Sequence, residues 1–190
     1  QALNQADTIF MDGSIVPSYL EIDSVIDNYN RLMGKAEEGS LVGVVEDSYG
    51  QKMASLFEEK LEINLGNIRD TILMDKLLEA GERSFVRKYA KGPAEHPILQ
   101  KLVAEHVNKL HTFYVKLSGK DLPLRIDYYG QPEDADQIAA ELNFLKTSKN
   151  YTIPSTIVEA DKRAKIPEKY LKRLEKRFSP ELRRRDRRSF

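Results

Sequence analysis

Cysteine is absent from this sequence. That excludes disulfides and thiolate zinc centres, and it fits a cytoplasmic protein. No apolar run approaches the roughly 20 residues that a bilayer span needs, and no signal-peptide pattern opens the chain. Histidine is scarce, with three in 190 residues. His96 precedes a proline, while His106 and His111 lie five apart on or after a helix. None has metal-ligand spacing, so all three read as surface or structural residues. There is no Walker-type loop, no dinucleotide fingerprint, and no Ser-His-Asp arrangement that spacing supports. An excess of either charge is also lacking, because 30 Lys and Arg balance 30 Asp and Glu.

What the chain does have is enough apolar content, 41%, to bury a core, and a strongly ionic surface, with 32% charged residues. Its length suits one domain, assigned here to residues 1–178, with a basic tail over 179–190. The neutral total hides a polarity. Residues 161–190 hold 13 Lys and Arg against 5 Asp and Glu, a net of +8, which leaves −8 for residues 1–160. Such a segment meets a polyanion or an acidic partner, or is a solvated helix with a frayed end. The run Arg183, Arg184, Arg185, Arg187 and Arg188 is its densest part. The chain opens on Gln1 rather than methionine, as a fragment, a processed form or a trimmed chain does.

Apolar spacing predicts a helix over 18–34. The continuous run Leu41-Val42-Gly43-Val44-Val45 is too short for a helix and reads as a buried strand. Gly43 within it marks close packing or a bulge rather than a phosphate cradle. Helices are expected over 51–62 and 69–80, the second closed by Gly81, and over 97–110. Residues 112–117 and 124–129 read as an antiparallel strand pair joined by a short turn. Helices follow over 133–147, 155–165 and 167–178, the last begun by Pro167. This order predicts a mixed α/β arrangement in which helices cover a sheet.

The segment from Ala6 to Ser14 is the most informative. It reads as a short buried strand ending on Asp12 at a Gly13-Ser14 turn. A carboxylate there either caps the turn or holds a divalent cation, since hard cations take oxygen ligands. Further acids, Glu46, Asp47, Asp127 and Asp161, are expected at strand tips or helix starts. A set of this kind can hold one or two ions that activate water for phosphodiester hydrolysis. Lys116, inside the otherwise apolar strand Phe113-Tyr114-Val115-Lys116-Leu117 and expected on the face of Tyr114, either touches a scissile phosphate or snorkels to the sheet edge.

In order, Phe10-Met11-Asp12-Gly13-Ser14, Leu41 through Ser48, Asp70-Thr71-Ile72-Leu73, Glu79 through Ser84, Phe113 through Leu117, Leu124 through Asp127, and Ile153 through Ala164 resemble the NurA family of nucleases. Each piece is short; their collinearity over nearly the whole chain makes the resemblance specific. It implies an RNase H-like core, Mn²⁺- or Mg²⁺-dependent DNA cleavage, a homodimer, and work with a HerA-type hexameric ATPase in DNA-end resection. Asp12 carries over as a metal ligand and catalytic residue, and Lys116 as the strand lysine near the site. Asp161, Glu46 and Asp127 are the further candidate ligands, and the Arg183–Arg188 cluster is the candidate DNA contact.

Three features depart from the family. Its earlier Asp-Gly-Ser motif, on a first strand, has no counterpart before residue 12. The family tends to have lysine at the position of Glu46, and Ala-His at Ala160-Asp161. The expectation is therefore a metal-dependent deoxyribonuclease lacking the family's N-terminal strand segment. The alternative is an inactive or truncated subunit that keeps the DNA- or partner-binding surface.

Overall fold

The structure, a computed structural model, describes residues 8–16, 23–36, 41–46, 48–148 and 150–177. Asp47 and the Arg183–Arg188 cluster lie outside the described residues. The chain divides after Ile157 into a larger unit, residues 1–157, and a smaller one, residues 158–190.

A five-stranded mixed sheet organises the larger unit. Its strands are β1 (Ile9–Asp12), β2 (Leu41–Val45), β3 (Arg87–Lys88), β4 (Leu110–Val115) and β5 (Leu124–Tyr129), in the spatial order β1-β2-β5-β4-β3. Only β1 and β2 run parallel, and α1 (Asp23–Lys35) connects them. The other pairs are antiparallel. The mixed α/β expectation is met, and the 124–129 strand falls where its sequence placed it.

Register assigns every strand residue to a face, because directly paired residues point the same way. Leu41, Gly43 and Val45 share one face with Tyr129, Asp127 and Arg125, and with Leu110, Thr112 and Tyr114. Two apolar clusters cover this face. In the first, Ile26 and Met33 of α1 pack with Ile15, Leu41, Leu110 and Tyr129. In the second, Met53 and Ala54 of α2 (Lys52–Leu61) and Leu73 and Met74 of α3 (Asp70–Leu77) pack with Tyr114. The opposite face carries Phe10, Asp12, Val42, Val44, Ile126 and Phe113. There α5 (Ala135–Leu145) buries Ala135, Ile138 and Leu142, and its Ala140 and Phe144 line a groove with Phe10.

Two helix expectations are corrected. Residues 97–110 do not form one helix. They make a 3₁₀ turn, Leu99–Lys101, and a five-residue α4, Ala104–Asn108, separated by an extended Val103. The helical spacing is genuine, since Ile98, Leu99, Leu102, Val107 and Leu110 are all buried. They are buried by a chain that bends over the first cluster, and Leu110 already pairs with Tyr129 in the sheet. The helix expected to reach residue 80 stops at Leu77, because Leu78 turns extended. The chain then runs beside the end of β4, with Gly81 N–H donating to Lys116 O at 2.6 Å and Ser84 N–H to Tyr114 O at 2.8 Å. The remaining helices are α6 (Ser155–Ala164) and α7 (Glu168–Arg177). No helix among the described residues is long and apolar enough to cross a membrane.

Candidate functional site

Asp12 is the last residue of β1 and is exposed. Its partner in the neighbouring parallel strand is Val44. Glu46, also exposed, follows β2 two residues beyond Val44. The two carboxylates therefore leave the same end of adjacent parallel strands. Among the described acids that the sequence singles out in the larger unit, these two share a sheet end.

The turn after Asp12 is held closely. Gly13 has φ +92°, a left-handed conformation that costs a residue with a Cβ roughly 1–2 kcal/mol. Gly13 N–H donates to Val44 O at 2.8 Å. The chain then crosses directly over β2 at Gly43. A Cβ at that position would lie 2.6 Å from Gly13 O and 2.7 Å from Ile15 N. Gly43 is thus a glycine because a second backbone lies on top of it, which is the close-packing reading of the sequence. Ser14 Oγ accepts from Val16 N–H at 3.2 Å and lies 3.5 Å from Tyr89 Oη.

Asp127 is not at a strand tip. It sits in the middle of β5, opposite Gly43 on one side and Thr112 on the other, and is fully buried. Asp12 shares a face with Val44, so Asp127 faces the other side of the sheet. Both Asp127 oxygens accept from Arg125, at 2.9 Å from Nε and 2.7 Å from Nη2. The two residues are i and i+2 on one strand, so alternation puts them on one face. Arg125 also donates to Ser48 Oγ at 3.4 Å and lies 5.6 Å from the Tyr89 ring centroid. Burial works against the Arg125 charge, but the bonded Asp127 carboxylate outweighs it and raises the guanidinium pKa above its ordinary value.

A second buried carboxylate, Asp70, was not singled out in the sequence. It accepts from Met53 N–H at 3.0 Å and Ala54 N–H at 2.8 Å, so it caps α2 from a distance in sequence. It also accepts from Tyr114 Oη at 3.0 Å. Burial, reinforced by the Asp70 charge, raises the Tyr114 pKa. The signal for Asp70 was faint, because a cap 17 residues downstream of the amide it serves leaves no local motif.

Lys116 lies just past β4, and its ammonium is largely buried against Asp75, 3.0 Å from Oδ1 and 2.7 Å from the main-chain oxygen. Strands β2 and β5 separate β4 from β1, so Lys116 stands about three strand spacings, roughly 14 Å, from the strand that carries Asp12. Asp161 belongs to the smaller unit. It lies in the second half of α6, not at a helix start, and pairs with Lys165 at 3.3 Å. The histidines are dispersed: His106 Nδ1 bonds Tyr129 Oη at 3.0 Å, His111 is buried beside Tyr128, and His96 Nδ1 accepts from Ile98 N–H.

Among the described residues, no group of three or more His, Cys, Asp or Glu converges as a metal cage. Two exposed carboxylates at strand ends still suit Mg²⁺ or Mn²⁺, ions that keep several waters and bind through one or two carboxylates. The donor set therefore fits a hard divalent cation and does not fit zinc held by protein ligands alone.

Comparison with known proteins places this architecture. The NurA domain model matches residues 1–166. The fold is similar to that of the NurA nuclease from Sulfolobus solfataricus, with a TM-score of 0.56 and 17% sequence identity over 93% of this chain. The match covers 63% of that nuclease, so this chain spans a little under two thirds of its length. No curated protein matches the sequence. The family match takes in residues 1–166, most of the chain: the chain belongs to the NurA family.

Proposed function

We propose that this chain is a metal-dependent DNA nuclease, with Asp12 as the principal ligand of an Mn²⁺ or Mg²⁺ ion and Glu46 as its neighbour. The observation that carries the reading is the pairing of these carboxylates at one end of two adjacent parallel strands within a NurA domain. A bound divalent ion would polarise the phosphoryl oxygen and lower the pKa of attacking water. The protein's part is to hold Asp12 rigid. Gly13 turns the chain, Gly43 lets that turn lie flat on β2, and Ser14 fastens it towards Tyr89.

The rest of the proposal rests on family membership. It comprises an RNase H-like core, a nuclease domain over 1–178, cytoplasmic action in DNA-end resection beside a HerA-type hexameric ATPase, and a homodimer. Asp161 is a further candidate ligand on the same ground, and Arg183, Arg184, Arg185, Arg187 and Arg188 would contact DNA phosphates. Asp127 has both oxygens committed to Arg125, and Lys116 would reach a phosphate only by leaving Asp75.

The test is cleavage of end-labelled single-stranded DNA with Mn²⁺ and with EDTA. The unaltered chain is expected to cut only with metal. Asp12→Ala should lower the rate by roughly 100-fold or more, since even outer-shell partners of a metal are worth 10–100-fold. Cleavage unchanged by Asp12→Ala would remove that residue from the site. A second reading, a binding subunit without activity, is favoured by the absence of a three-residue acidic cage among the described residues. It predicts DNA binding without cleavage.

A further inference from the structure

Far from Asp12, at the β3 edge of the sheet, a cleft of about 630 Å³ opens between α2 and the strand. Its lining includes Lys52, Arg87, Lys88 and Lys91, against two carboxylates, Glu59 and Glu95. Both carboxylates are already engaged. Glu95 pairs with Lys52 at 3.3 Å and accepts from Lys91 N–H at 3.2 Å, and Glu59 lies 3.9 Å from Lys60. The charges of Arg87, Lys88 and Lys91 are left with no ion-pair partner among the described residues.

Arg87 is the unusual member. Arg87 is partly buried, with its Nε fully so, and a buried arginine group is ordinarily paired with a carboxylate. Here only Nη1 donates, to the carbonyls of Lys88 at 3.1 Å and Tyr89 at 3.4 Å, and Nε has no partner among the described residues. The two carboxylates behind it are unavailable: Asp127 is held by Arg125, and Asp70 by two amides and Tyr114. Burial lowers the Arg87 pKa and the Arg125 charge adds to that, while Tyr114, Asp70 and Asp127 oppose it without cancelling it. A guanidinium so placed in the wall of an open cleft, with exposed Lys91 near it and exposed Lys88 next along the edge strand on its other face, suits a tetrahedral oxyanion, because its planar fork matches phosphate.

We propose that this cleft is a phosphate-binding subsite for the backbone of single-stranded DNA, with Arg87 as its anchor and Lys88 and Lys91 as its flanking charges. It rests on the nuclease reading for the identity of the polyanion, and it adds a second grip on the strand, separate from the cutting carboxylates. The volume accommodates a nucleotide-sized group.

Fluorescence anisotropy of a labelled oligothymidine, in EDTA so that metal plays no part, tests it. Lys88→Glu with Lys91→Glu, two exposed changes, should weaken binding by 10-fold or more with the thermal midpoint preserved. The slope of log K against log salt should fall by about 0.7 for each phosphate that the variant no longer neutralises. Arg87→Lys, which keeps the charge and removes the fork, should also weaken binding. Inorganic phosphate as competitor separates the sources. Displacement of DNA only at high phosphate supports the DNA subsite, whereas variants that lose phosphate binding and keep full DNA affinity overturn it. Unchanged affinity and slope in the Lys88→Glu/Lys91→Glu chain overturn it as well, as does a chain that binds no DNA. Failure of the nuclease reading looks different: no Mn²⁺-dependent cleavage, with DNA binding that still depends on Lys88 and Lys91.

Discussion

Replacing Asp127 with alanine is expected to destabilise the protein by about 3–5 kcal/mol, the usual cost of breaking a buried ion pair from one side. Asp127 is fully buried, and the Arg125 side chain is 18% exposed. Without the carboxylate, the guanidinium keeps only Ser48 and the face of Tyr89 in a site built for a neutral pair. The effect should couple to Arg125. In a double-mutant cycle followed by urea unfolding, Arg125→Ala/Asp127→Ala should lose about 2 kcal/mol less than the two single changes added together. A single Asp127→Ala that costs under about 1 kcal/mol would show that the pair is not a structural anchor. The experiment also separates two roles for one residue, because a metal ligand removed from a nuclease typically harms activity more than folding.

Gly43→Ala is the second large effect, and it acts through backbone rather than charge. The added methyl would sit 2.6 Å from Gly13 O and 2.7 Å from Ile15 N. Neither atom belongs to a side chain that can rotate away, so the turn carrying Asp12 must lift from β2. Overpacking of this kind costs about 1–3 kcal/mol, and the displaced turn should lower Mn²⁺ affinity by about 10-fold. Gly13→Ala is the informative contrast. Nothing lies within 4 Å of its added Cβ, so its cost is the left-handed φ alone, roughly 1–2 kcal/mol. Full Mn²⁺ affinity in Gly43→Ala would mean that the turn is not held where the site needs it.

Much of the architecture was legible because local pattern and tertiary burial agree. The unbroken apolar run of β2 is buried on both faces, and β5, with apolar residues at Leu124, Ile126, Tyr128 and Tyr129, is buried almost throughout. Asp12 reads as a strand-end carboxylate because an Asp-Gly-Ser turn follows a short apolar run. The misreadings have a common cause: what decides each residue's role is tertiary pairing that no local motif announces. The sequence puts Asp127 at a strand tip, whereas the register sets it in mid-strand, sunk opposite Gly43. Its real partner, Arg125, was two residues away, and strand alternation alone would have put them side by side. Lys116 gives no local hint of Asp75, 41 residues earlier. The apolar residues of 97–110 keep helical spacing because a bent chain can bury the same positions as a helix. Strand β3 is two residues of charged sequence, Arg87 and Lys88, and no propensity marks it. It exists because β4 offers it an edge.

The proposed nuclease activity depends on a divalent ion held by Asp12 at the end of β1. Electron paramagnetic resonance of free Mn²⁺, titrated into the unaltered chain and into Asp12→Ala, tests it without recourse to activity. Saturable Mn²⁺ uptake by the unaltered chain is expected, with at least a roughly 10-fold loss of affinity in Asp12→Ala and the thermal midpoint unmoved. Equal uptake by both chains, or none by the unaltered one, would contradict it.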